Sequence, residues 1–250
     1  MNYAEIKFVL SVKRGSKGVH VRRVQEWLTL HGYNVAVDEI FGPATEKALR
    51  KFQKANKLTV TGVSDQRTFE LLVAPMSKAL QRIDGAGETL ASLTLKYAKQ
   101  HLVPHPREVG GQNRGPWVRL YMKGNEGISW PWCAGFVCFC VQQASETLNV
   151  QMPFKYTFSC DTLAAFGKQN KAFVSGSDVK PSGLQKGCIF LVRKTSTDWT
   201  HTGFVSVFDE ESFDTIEGNT NNDARREGPR EGYEVCASIR EYRKKDFVIL

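Results

Sequence analysis

No cysteine occurs in the first 132 residues; all six (Cys133, Cys138, Cys140, Cys160, Cys188 and Cys236) lie beyond residue 130. The amino terminus, Met1-Asn2-Tyr3-Ala4-Glu5-Ile6-Lys7, lacks the charged start and apolar middle of a secretory signal. The expectation is therefore reduced thiols rather than a disulfide framework, in a chain made in the cytoplasm. Uninterrupted apolar runs of about eighteen residues are also absent, which excludes a membrane-spanning helix. Cys138-Phe139-Cys140 has no second close Cys/His pair to complete a tetrahedral site, so zinc is not expected.

What the chain does have is an apolar fraction of 41%, enough for true cores, and a length of 250 residues, which suits one large or two modest domains. Its formal charge of +8 is unevenly spread: residues 1–75 hold 12 Lys+Arg against 7 Asp+Glu, the rest 22 against 19. A basic surface suits an anionic partner, whether nucleic acid or a polyanionic surface such as a bacterial wall, and charge alone does not choose.

Val21, Val24, Leu28 and His31, with Trp27 alongside, recur at steps of three and four and predict an amphipathic helix ended by Gly32. A turn-rich piece over 38–43 leads to a second helix from Ala44, striped by Ala48, Leu49 and Phe52 and running to about Asn56; a third, short helix starts at Thr68. Phe41-Gly42, Thr45, Ala48 and Phe52-Gln53, followed by Leu58-Thr59-Val60-Thr61-Gly62-Val63, closely resemble the three-helical peptidoglycan-binding module of wall hydrolases, over about residues 10–75. Glu39 stands where that family usually carries glycine. The resemblance implies a docking module, residues 1–75, with peptidoglycan as partner.

The loosest stretch, 76–87, predicts a linker, and 88–250 a second domain. A helix is expected over about 88–101, then Pro- and Gly-rich loops with a short helix near 117–121. After residue 186 the period changes. Short β-branched and aromatic runs over 187–192, 201–208, 213–219 and 234–239 predict an antiparallel sheet, giving an α+β domain.

Between these halves lies Ser129-Trp130-Pro131-Trp132-Cys133-Ala134-Gly135-Phe136-Val137. Pro131 cannot continue a helix from its N-terminal side, yet 134–144 is apolar on nearly every face, so a buried helix begins just after it. Cys133 then sits in the first turn, where unpaired backbone N–H groups and the helix dipole favour a thiolate. Cys138 and Cys140 fall deeper in apolar sequence, where a thiol is inert. His201 opens a predicted strand joined by 209–212 to the next. If Phe208 pairs near Ser212, Asn219 lies opposite His201, and alternation puts Glu217 and Asn219 on its face. Cysteine, imidazole and an acceptor that orients the imidazole meet the needs of thiol-dependent acyl transfer.

Trp132-Cys133-Ala134-Gly135-Phe136-Val137, Thr200-His201-Thr202-Gly203-Phe204-Val205 and Ile216-Glu217-Gly218-Asn219-Thr220 resemble the CHAP family, the papain-like cysteine, histidine-dependent amidohydrolases/peptidases, over about residues 88–245. The resemblance implies Cys133 as nucleophile, His201 as base, and Glu217 and Asn219 as the pair that orients the histidine and supports the site. Trp132 and Trp199, each near a catalytic residue, are read as lining a substrate cleft or packing in the core. Some phage members bind calcium through an acidic loop before the cysteine; residues 109–130 hold only Glu126, so no metal and no other cofactor is expected. The whole reads as an endolysin-like monomer that cuts an amide bond of peptidoglycan, as amidase or endopeptidase, after release or dedicated secretion to the wall, without nucleic-acid binding or membrane insertion. Its rivals are a non-catalytic wall binder, a secreted antibacterial effector of the same chemistry, and a nucleic-acid-binding protein suggested by charge alone.

Overall fold

The computed structural model describes residues 3–177, 179, 183–221 and 232–250. Met1 and Asn2, the first residues of the amino-terminal stretch read above, lie outside them. In chain order the helices are α1 (Val19–Leu30), α2 (Pro43–Ala55), α3 (Gln66–Leu72), α4 (Ala74–Ala79), α5 (Leu90–Leu102), α6 (Pro116–Tyr121), α7 (Cys133–Leu148) and α8 (Cys160–Gln169). The strands are β1 (Phe173–Val174), β2 (Ile189–Arg193), β3 (Trp199–Phe208), β4 (Ser212–Thr220), β5 (Glu234–Glu241) and β6 (Lys245–Val248). The chain divides into two compact units, one of residues 1–80 with 107–127, the other of 81–106 with 128–250.

In the first unit the helical periodicity is realised as burial. Val21, Val24, Trp27 and Leu28 of α1 are buried, as are Leu49 and Phe52 of α2 and Phe69 and Leu72 of α3, and α1 packs on both of these helices. Pro43 occupies the first turn of α2, where a missing N–H costs nothing, and the Asp65 carboxylate caps α3 by accepting from Thr68 N–H at 2.8 Å. Two buried glutamines fix the loops between helices. Gln25 accepts from the Asp38 and Glu39 N–H groups while donating to Asp38 and the Ile40 carbonyl. Gln53 accepts from Gly62 N–H and donates to the Val63 carbonyl.

Glu39 has φ +63°, left-handed backbone that glycine adopts without penalty. Its side chain is 3.8 Å from Arg22 at an exposed position, a pairing worth little. Glu39→Gly is therefore expected to raise stability by about 0.5–1 kcal/mol, read as a higher urea midpoint with unchanged slope. A lower midpoint would show that the Arg22 pairing outweighs the backbone strain.

The segment 107–127 belongs to this first unit, whereas composition had suggested a second domain running unbroken from residue 88. The physical reason is a buried guanidinium. Arg119, on α6, donates to Glu5 (2.9 and 3.0 Å), Glu26 (2.9 and 2.7 Å) and Glu126 (2.8 Å). Beside it Trp117 meets Trp27 edge-on with ring centres 6.0 Å apart.

The second unit is a six-stranded antiparallel sheet in the order β1-β6-β2-β3-β4-β5 with helices packed on it. Thr89 and Ser92 close a capping box at the start of α5. Helix α7 lies on β3 and β4, with Phe136 edge-on to Phe204 at 6.1 Å. The approach is close enough that a Cβ on Gly218 would sit 2.7 Å from that of Phe136, so only glycine fits there. A separate cluster of Phe190, Val205, Phe213 and Phe247, with Cys188 and Leu184, seals the sheet elsewhere. Helices α4 and α8 and strands β1 and β6 are elements that the sequence pattern does not predict. Among the described residues no helix is long and apolar enough to cross a membrane.

Candidate active site

Helix α7 begins at Cys133 itself, with Trp132 as its N-cap residue. Asn219 holds that start in place: its side-chain oxygen accepts from Trp132 N–H at 2.8 Å and its amide nitrogen donates to the Gly232 carbonyl. It does so from a left-handed conformation, φ +58°, at a register shift in the β4–β5 pairing. Simple alternation put Glu217 and Asn219 on one face with His201; the shift turns the Asn219 side chain to the helix start instead.

Strand β3 pairs with β4 as Gly203↔Glu217 and Phe204↔Ile216, which extrapolates to Asn219 opposite His201. At the hairpin tip Phe208 pairs with Phe213, and an irregularity between Val205 and Val207 restores the register nearer the site. Glu217 then reaches diagonally to His201, Oε2 to Nε2 at 2.7 Å. Gly203 allows this, since a Cβ there would lie 2.9 Å from Cγ of Glu217.

Glu217 is fully buried, and its carboxylate is closely enclosed by donors. Arg240 grips it with Nε on Oε1 and Nη2 on Oε2, both at 2.5 Å, and Thr215 Oγ1 donates to Oε1 at 2.6 Å. Burial favours the neutral acid, but the Arg240 and His201 hydrogen bonds outweigh it and hold the group down at about 2. Neither Arg240 nor Thr215 was singled out from the sequence. Arg240 pairs with Phe213 across β4–β5, and the period of two carries its side chain to the face of Thr215 and Glu217, a relation visible only once the register is known.

With Nε2 on Glu217, Nδ1 is the nitrogen left for the thiol, and Cys133 and His201 each favour the other's charged form. Burial lowers the basicity of His201, yet bonds to Cys133 and Glu217 carry it up to about 9. On Cys133 the principal influence is Cys160, the first residue of α8, whose Sγ lies 3.9 Å from its own. Burial opposes ionisation, but Cys160, His201 and the Ala134 N–H together hold the thiol well below its ordinary value. Cys140, by contrast, is pushed well up by burial, and Cys188 and Cys236 to about 12, burial again leading.

Trp132 and Trp199 are core rings rather than cleft walls. Trp132 is 0% and Trp199 5% exposed. Trp132 packs over Gly218, while Trp199 donates its ring N–H to Asp246 at 2.8 Å beneath the Lys168 ammonium. The half-buried aromatics beside the start of α7 are instead Trp130, Phe158 and Tyr156, successive edge-on rings with centres 5.6 and 5.7 Å apart. Tyr156 is tied to the helix by its hydroxyl, which donates to the Gly135 carbonyl at 3.0 Å. Glu126, the acidic residue weighed for calcium, is committed to Arg119, Arg22 and Gly115 N–H in the first unit. Among the described residues no group of three or more His, Cys, Asp or Glu side chains is placed to hold a metal ion.

Residues 17–72 match the family described as "Putative peptidoglycan binding domain". The chain thus carries a peptidoglycan-binding domain in its first unit, joined to a unit of mixed helix and antiparallel sheet. Solved structures similar to it include the following two. One is a peptidoglycan-binding protein from Clostridioides difficile, 36% identical over 25% of this chain and 40% of that one, with a TM-score of 0.25. The other is the SleB N-terminal domain, 36% identical over 27% of this chain and 96% of that one, with a TM-score of 0.27. This chain therefore spans about two fifths of the first of these proteins. No curated protein matches it.

Proposed function

We propose that the protein is a cell-wall hydrolase of the CHAP type, in which the first unit holds peptidoglycan while Cys133 cuts an amide bond of the peptide part. One observation carries this reading: a cysteine at the first position of a helix and a histidine resting on a buried carboxylate, each of the two favouring the other's charged form. In this reading the thiolate of Cys133 attacks the carbonyl carbon, and the N–H of Cys133 at the helix start donates to the developing oxyanion. His201, as imidazolium, gives its proton to the departing amine. It then takes a proton from the water that releases the acyl group, regenerating the thiolate. Glu217 stabilises the imidazolium and Arg240 keeps Glu217 in place. Binding to the wall raises the local concentration of scissile bonds.

The alternative is a wall binder without turnover, favoured by the match of residues 17–72 to a binding family. Digestion of purified peptidoglycan, with mass spectrometry of the released fragments, decides between them. New amino and carboxyl termini establish the hydrolase. An L-alanine amine freed from sugar marks an amidase, and termini inside the peptide mark an endopeptidase. A protein that sediments with the wall and releases nothing is a binder.

The thiolate–imidazolium pair sets the pH dependence. His201 is charged below about 9, and Cys133 ionises well below its ordinary value. Wall hydrolysis at constant ionic strength is expected to plateau between these limits and to fall as pH rises through about 9, where His201 can no longer protonate the leaving amine. A rate still climbing beyond that pH would contradict the assignment.

A further inference from the structure

We propose that Cys133 and Cys160, the first residues of α7 and α8, with sulfurs in direct contact, are a redox pair that closes reversibly into a disulfide under peroxide. The inference rests on the reading of Cys133 as nucleophile for its effect on activity; formation of the bond does not depend on that reading.

The two sulfurs lie 3.9 Å apart, against about 2.05 Å for a disulfide, so they must close by about 1.9 Å. Closing the bond by side-chain rotation at the two helix starts, with both helices intact, is part of the proposal. Both thiols sit at the edge of the fold's interior, 5% and 8% exposed, as does Cys236 at 5%, whereas Cys138, Cys140 and Cys188 are 0% exposed. Cys138 is turned away into a hydrogen bond with the Thr157 carbonyl at 3.2 Å. The contact that supports the Cys133 thiolate also places a second thiol next to the sulfur most prone to oxidation.

The chemistry balances with hydrogen peroxide as oxidant. The Cys133 thiolate attacks one peroxide oxygen, forming sulfenic acid and releasing hydroxide. Cys160 Sγ then attacks the Cys133 sulfur, and the S–O bond breaks. The displaced hydroxide leaves as water with the Cys160 proton. Overall two thiols lose two electrons and two protons, and one peroxide becomes two waters. A dithiol reductant reverses the step by thiol–disulfide exchange. The disulfide removes the nucleophile yet protects it from irreversible oxidation to sulfinic acid.

The test oxidises the full-length protein with hydrogen peroxide, alkylates it in denaturant without reductant, and maps the peptides by mass spectrometry. Wild type is expected to yield a Cys133–Cys160 cross-linked peptide, with the other four cysteines alkylated, and to recover both thiols with dithiothreitol. Cys160→Ser is expected to accumulate Cys133 sulfinic acid that dithiothreitol does not reverse. A wild-type map with Cys133 sulfinic acid and alkylated Cys160 overturns the proposal. If Cys160→Ser fails to fold by circular dichroism, the wild-type map and a time course of its recovery decide the matter alone. The same samples, assayed on peptidoglycan, separate the two readings. A cross-link in a protein whose reduced form releases nothing leaves the redox pair standing and sinks the hydrolase. Wall cleavage without any cross-link does the reverse.

Discussion

Cys133→Ala is expected to sediment with peptidoglycan as the wild type does while releasing fragments at least about 10³-fold more slowly. The loss is large because nothing else near His201 replaces the sulfur: Cys160 lies within reach of the Cys133 sulfur, but among the described residues only Cys133 is a thiol held low by both His201 and the Ala134 N–H. Binding is unaffected because the matched domain, residues 17–72, contains none of these groups. Co-sedimentation and fragment release on one wall preparation check both halves. Equal release by the two proteins would remove Cys133 from the mechanism.

Arg119→Met is expected to destabilise the first unit by about 3–5 kcal/mol, the usual consequence of removing one partner from a buried ionic cluster. Arg119 is 8% exposed and Glu26 2%, so the carboxylates of Glu5, Glu26 and Glu126 would lose their shared cation where water does not replace it. Burial already pushes Glu26 up, and without Arg119 it would take a proton more readily still. Urea unfolding followed by circular dichroism measures the change. Adding Glu5→Gln and Glu26→Gln to Arg119→Met is expected to recover part of the loss, because only Glu126, which keeps Arg22 and the Gly115 N–H, then remains as a charged member of the cluster. A single-variant loss below about 1 kcal/mol would mean that the cluster is hydrated rather than buried.

Much of the fold is legible because burial follows period. Val21, Val24, Trp27 and Leu28 announce α1, and the change to period two after residue 186 announces β2 to β5. Helix α8 shows where the reading fails. Its buried residues are Cys160, Leu163, Ala164 and Gly167, a narrow stripe of mostly small side chains, and its clearest local signal is Ser159, which caps Thr162 N–H. Strand β6 is four residues long and exists through its pairing with β1 and β2, which no local pattern encodes. At the site, Cys133, His201 and Glu217 could be connected through a helix start and a hairpin register. Arg240 and Cys160 could not, because their contacts span 23 and 27 residues between elements whose pairing the sequence leaves open. Adjacency misled in the case of Trp132 and Trp199. A neighbour in sequence shares a backbone with the reactive residue, not a direction for its ring.

The division of the first unit around residues 81–106 bears on its birth at the ribosome. Glu26 is made 93 residues before the Arg119 that shares its burial, and α5, which belongs to the other unit, is synthesised in between. A nascent chain of about a hundred residues holds all of α1 to α4 but lacks the cation that completes their ionic cluster. The first unit therefore closes late, once α6 emerges, and the order of folding departs from the order of synthesis.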